Sequence, residues 1–137
     1  MKNDEIKFSI PLEISYKDIE RTLTTALEGG SNYWIGFDDA DNPWIKQWLE
    51  NAHLKEKSFT EHVAHALVHS RETVVFYDPE EPEIKWHLTL QKMLKGIELY
   101  FNNPKKHNLD MNDFEDHDIY DADVIMQLSL FEEIKYG

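Results

Sequence analysis

The 137-residue chain has no cysteine. That absence removes disulfides, thiolate nucleophiles and cysteine zinc sites together, and it fits a reducing compartment. Long apolar runs are missing as well. The longest span only a few residues, far below the roughly 20 needed to cross a bilayer. The first five residues, MKNDE, carry no apolar core of a secretory signal, so the expected setting is the cytoplasm. None of the serines, Ser9, Ser15, Ser31, Ser58, Ser70 and Ser129, lies in a G-x-S-x-G context, so no nucleophile elbow is present. Basic residues are absent from one whole region. Residues 107–134 contain nine acids and no Lys or Arg, whereas residues 1–106 contain 13 basic and 18 acidic side chains.

What is present describes a folded, acidic domain. Apolar residues make up 41% and aromatics 12% of the chain, which is not a disordered composition. The length suits one domain over residues 1–137, with a real core. The formal charge is −13. Such a surface repels nucleic acid and anionic membranes and steers basic partners toward itself. Solubility alone is the plainer explanation of the same charge.

The first expected element is a strand. Ile6, Phe8, Ile10, Leu12 and Ile14 alternate with Glu5, Lys7, Ser9, Pro11 and Glu13, and Pro11 restricts that strand to an edge or a bulge. Ser15 and Asp18 form a capping box for a helix with Ile19, Leu23 and Leu27 inward, stopped by Gly29-Gly30. Asn42-Pro43 reads as N-cap and first residue of a short helix burying Ile45, Trp48 and Leu49. Ser58 and Glu61 cap another helix, which reaches about Ser70. Val74-Val75-Phe76-Tyr77 and the alternating Ile84, Trp86 and Leu88 make a hairpin, joined by an acidic, proline-bearing loop over residues 78–83. Leu90, Met93, Leu94, Ile97 and Phe101 mark an amphipathic helix ended by Pro104. Residues 105–118 read as a long acidic loop. A last helix uses Ile125, Leu128 and Phe131, and residues 132–137 suit a short closing strand. The expected class is α+β: a small antiparallel sheet, the N-terminal strand plus the hairpin, packed with four to five helices.

Several constellations could carry chemistry. His62, His65 and His69 share one helical face at spacings of three and four, which can present imidazoles to a metal. H-E-x-x-H order is missing, and a solvated polar face is the blander account. Asp110, Asp113, Glu115, Asp116, Asp118, Asp121 and Asp123 offer oxygen ligands without the EF-hand order. A surface meant for a basic partner suits them better, so no metal and no cofactor is assigned. The 27 acids cannot single out a pair for carboxylate hydrolysis. Gly29-Gly30-Ser31-Asn32 follows a helix instead of opening one, so a phosphate cradle is not expected. Tyr33, Trp34, Phe37, Trp44 and Trp48 are dense aromatics, with Tyr33 and Trp34 the expected exposed pair, suited to a protein interface.

Two segments, residues 25–34 (TALEGGSNYW) and 121–131 (DADVIMQLSLF), resemble parts of a family of small acidic bacteriophage and prophage proteins that mostly lack an assigned function. The likeness extends over the hairpin and the helix around Leu94 to Ile97 and is weakest across residues 38–70. It carries no catalytic residues. It implies a phage setting and the cytoplasm of a bacterial host. Small acidic phage proteins often bind host proteins, including CRISPR and other defence effectors whose nucleic-acid channels are basic.

Three functions compete on this reading. The first is a non-enzymatic inhibitor or adaptor that docks Asp110, Asp113, Glu115, Asp116, Asp118, Asp121, Asp123, Tyr33 and Trp34 onto a basic host protein, without direct nucleic-acid or membrane binding. The second is a binder of a nucleotide-derived signal through Glu28, Ser31, Asn32 and Tyr33. The third is a metal-dependent enzyme using the His62, His65 and His69 face. A homodimer is compatible with each, although no sequence feature establishes one.

Overall fold

The computed structural model describes residues 13–50, 57–102 and 119–136, without the side chains of Trp48 and Leu49. The expected N-terminal strand, apart from residues 13 and 14, and the acidic segment up to Asp118 lie outside the described residues.

Helix α1, Tyr16–Thr25, starts as its sequence dictates. Ser15 Oγ accepts from the Asp18 N–H at 3.2 Å, and Asp18 Oδ2 accepts from the Ser15 N–H at 3.0 Å. These reciprocal bonds satisfy donors that a helix start leaves open. Ile19 and Leu23 face inward. The chain then widens into a π turn, Ala26–Gly30, in which the Ser31 N–H donates to the Ala26 carbonyl at 2.7 Å. Helix α2 is Trp44–Glu50 and helix α3 is Phe59–Val68, the latter capped by the Ser58–Glu61 box. Past α3, the Glu72 N–H reaches back to the Ala66 carbonyl at 2.9 Å, with Arg71 in a left-handed conformation (φ 54°).

Among the described residues the sheet has three antiparallel strands in the order β1-β2-β3: Gly36–Phe37, Val74–Tyr77 and Lys85–Leu88. Val74 pairs with Leu88 and Phe76 with Trp86, so the hairpin's apolar residues share its inner face. The third described strand is Gly36–Phe37, too short to show as alternation. Gly36 pairs with Tyr77 across it, and a Cβ there would strike the Tyr77 ring, 2.8 Å from Cδ2. Asn42 departs from the expected capping role. Its buried amide donates to the Val75 carbonyl at 2.9 Å and accepts from the Val75 N–H at 2.8 Å, extending the ladder where β1 ends. Ile84 also departs from expectation: it precedes β3 and stays exposed, with its backbone closing the hairpin loop against Asp78 and Glu81.

Helix α4, Leu90–Phe101, buries Leu90, Met93, Gly96, Ile97 and Tyr100. Leu94, expected inward, is exposed, and Phe101 is only half-buried. The stripe is rotated because Gly96 lets α4 close against Ser129 of helix α5, Ile119–Phe131. Helix α5 packs on α4, α1, the π turn and β3. Ala122 through Gln127 are all buried, around the full circumference of the helix. Residues 132–136 form bends and coil, not the expected closing strand. The architecture is α+β, as composition and patterning imply.

Candidate functional site

The most elaborate polar arrangement in the described residues lies where the π turn, α5 and the C-terminal tail meet. Gly30 brings the turn against α5: a Cβ at this position would run into the Ile119 carbonyl oxygen and stand 3.1 Å from the Asp123 Cβ. This approach delivers Ser31 and Trp34 to Asp123. Asp123 Oδ1 accepts from Ser31 Oγ at 2.8 Å and from Trp34 Nε1 at 2.7 Å. Oδ2 accepts from Gln127 Nε2 at 3.1 Å, one helical turn along. Asp123 is 7% exposed, and no ion pair among the described residues includes it. Three neutral donors therefore take the place of its hydration.

Gln127, fully buried, continues the network to the tail. Its Nε2 donates to the Tyr136 carbonyl at 2.8 Å, and its Oε1 accepts from the N–H groups of Lys135 and Tyr136, each at 2.7 Å. The amide thus reads a stretch of main chain as a neighbouring strand would, the same device Asn42 uses on β2. Above the network the Tyr136 ring stacks on Trp34, with centroids 4.9 Å apart and planes 11° apart. Trp86 and Phe131 close the cluster edge-on, 5.1 Å from each other. Lys135 Nζ lies 4.7 Å above the Phe131 ring. The Tyr136 hydroxyl is held above its usual pKa, first by burial and then by Asp78, Glu80 and Glu81 of the hairpin loop.

Two expectations are corrected here. Trp34 is not an exposed interface residue: it is 3% exposed, because its indole N–H is committed to Asp123. Asp123 is not on a partner-facing surface: its place on α5 points it into the core, onto Ser31 and Trp34. Tyr33 is exposed, as expected. Asp121 is half-buried and accepts from the Tyr100 hydroxyl at 2.8 Å. Asp110, Asp113, Glu115, Asp116 and Asp118 lie outside the described residues. Of the ligand set, Glu28, Asn32 and Tyr33 are exposed, but Ser31 is buried with its hydroxyl engaged.

The histidines do not share one solvated face. His62 is buried, His65 half-buried and His69 exposed. The rings of His65 and His69 lie 4.8 Å apart, and Tyr16 covers His69 at 4.6 Å. Burial holds His65 below its ordinary pKa, helped electrostatically by the neighbouring His69, Lys57 and His62. No group of three or more His, Asp or Glu among the described residues is placed to hold a metal ion. Beside His62, a depression of about 230 Å³ is lined by Asp39, Ile45, Lys57 and Phe59.

The sequence marks Trp86 only as a strand residue and does not mark Gln127 or Tyr136. The signal available for Gln127 was a single amide inside the apolar run VIMQLSLF, four residues after an aspartate. No family model, curated protein or solved structure matches the chain. No helix among the described residues is long and apolar enough to cross a membrane.

Proposed function

We propose that this protein is a non-enzymatic, phage- or prophage-encoded docking protein of the bacterial cytoplasm. Its target would be a host defence factor with a basic surface, such as a CRISPR or other nucleic-acid-binding effector. The observation that carries this reading is charge segregation: eight acids besides the buried Asp123, and no Lys or Arg, across residues 107–134. Glu80, Glu81 and Glu83, exposed on the hairpin loop, add a second acidic site. Carboxylates in such numbers complement a surface built to hold phosphates. The phage setting rests on the resemblance of residues 25–34 and 121–131 to small acidic phage proteins.

The two competing readings have less support. A ligand turn at Glu28, Ser31, Asn32 and Tyr33 would need the Ser31 hydroxyl, which Asp123 already engages. An enzyme on the histidine face would need a gathered ligand set, and none occurs among the described residues. The test is capture from host lysate by the intact chain and by a variant with Asp110, Asp113, Asp116 and Asp118 changed to Asn. The reading expects a basic protein that the variant loses. Equal capture by both chains would overturn it.

A further inference from the structure

The tail contact has the construction of a peptide-binding site. Main chain is held by a side chain that reads both N–H and C=O groups, and one aromatic residue is anchored in a ring of others. These are the two components of extended-peptide recognition: main-chain bonds for affinity and a side-chain pocket for selectivity. Gln127 supplies the first through its bonds to Lys135 and Tyr136. Trp34, Trp86 and Phe131 supply the second around the Tyr136 ring.

The bound segment also sets a cation on an aromatic face. Lys135 is the one Lys or Arg after Lys106. Its ammonium sits on the face of Phe131, and the neighbouring Tyr136 ring feels Asp78, Glu80 and Glu81 from the hairpin loop. A lysine whose ammonium lies on an aromatic face, followed by a stacked tyrosine ring, is thus the chemistry this pocket holds. Hydrogen bonding holds the tail to the described fold through few groups: the described bonds from residues 135–136 to the rest of the fold all go to Gln127. A segment held by so few hydrogen bonds opens at lower free energy than a core does.

We propose that residues 134–136 occupy, as an internal stand-in, a docking groove for a basic–aromatic peptide segment of the partner protein. This rests on the acidic docking function proposed above and names the chemistry its partner would present. Binding would exchange the tail for the partner's Lys-Tyr-type segment and leave the Asp123–Gln127 network in place.

The probe is a synthetic peptide with the sequence of residues 133–137, titrated into full-length protein and followed by tryptophan fluorescence from Trp34 and Trp86. In the full-length Tyr136→Ala variant the cis anchor is weakened, and the peptide is expected to bind at least tenfold more tightly than to the unaltered chain. Adding Gln127→Leu should abolish that binding, as should replacing the peptide's lysine and tyrosine with glutamate and alanine. Equal affinity for the unaltered chain and Tyr136→Ala overturns the proposal, and so does binding indifferent to Gln127. Should Tyr136→Ala fail to fold, hydrogen exchange of the Lys135 and Tyr136 amides in the unaltered chain decides. Exchange much faster than the α5 core supports a displaceable tail, and exchange only with global unfolding overturns it. Peptide binding without salt-sensitive partner capture would retain the groove and reject the acidic docking function. The reverse pattern would reject the groove alone.

Discussion

Gln127 pairs with Tyr136 as one strand pairs with another, donating to its carbonyl at 2.8 Å and accepting from its N–H at 2.7 Å. The same amide donates to Asp123 at 3.1 Å. One buried side chain therefore links the tail, the central helix and, through Asp123, the turn after α1. Removing any member leaves buried polar groups without partners, which sets the sizes of the effects below.

Asp123→Ala strands the Ser31 hydroxyl and the Trp34 indole N–H in the interior. Each buried donor left unmatched costs about 1–3 kcal/mol, so the expected loss is about 2–6 kcal/mol in urea denaturation. Asp123→Asn should cost less, because its carbonyl can still accept from Ser31 and Trp34. Its amino group would, though, face the Gln127 Nε2, which cannot turn away without losing Lys135 and Tyr136. A change within about 0.5 kcal/mol for Asp123→Ala, the usual range of a surface site, would refute the buried role.

Gly96→Ala decides between two opposed effects. Alanine is favoured over glycine inside a helix by about 1 kcal/mol. The new Cβ would stand 2.6 Å from the Ser129 Cα and N, and overpacking against backbone costs about 1–3 kcal/mol. The net expectation is a loss of stability and separation of α4 from α5. A higher melting temperature for the variant would show that the helices are not packed this closely.

Acid should destabilise the fold through His65. His65 has a folded pKa below its ordinary 6.5, from burial and then from His69, Lys57 and His62. The unfolded chain therefore takes up this proton at higher pH than the folded chain does. The stabilisation is complete above about pH 6.5 and is lost as pH falls through the folded pKa. The melting temperature should drop between about pH 7 and pH 5, and His65→Gln should flatten that part of the profile. An unchanged profile in the variant would assign the pH dependence to other groups.

Elements with local signals were legible in the sequence. Both capping boxes, the hairpin and the general extent of α4 follow from side chains that act within a few residues of themselves. The misplacements share a physical cause: each was decided by a distant contact. Asp123 carries a charge and sits near a helix start, so it read as surface, yet its partners Ser31 and Trp34 lie about ninety residues earlier in the chain. Leu94 satisfied helical spacing but lost the inner face to Gly96, because a close α5 needs a glycine there. Asn42 looked like a cap, and only the fold could bring Val75 to its amide. The π turn left no apolar period to read, since its bonds depend on the packing of Gly30 against Ile119.

The central claim, that the acidic surface docks a basic protein, is tested most directly by the salt dependence of the captured complex. The association constant of the purified partner would be measured from about 0.1 M to about 1 M salt, a range over which screening shortens from about 10 Å to about 3 Å. The measurement is made on the unaltered chain and on the variant with Asp110, Asp113, Asp116 and Asp118 changed to Asn. The account predicts a steep fall in affinity for the unaltered chain and a weaker, flatter dependence for the variant. An affinity that is independent of salt and of those four carboxylates would contradict it.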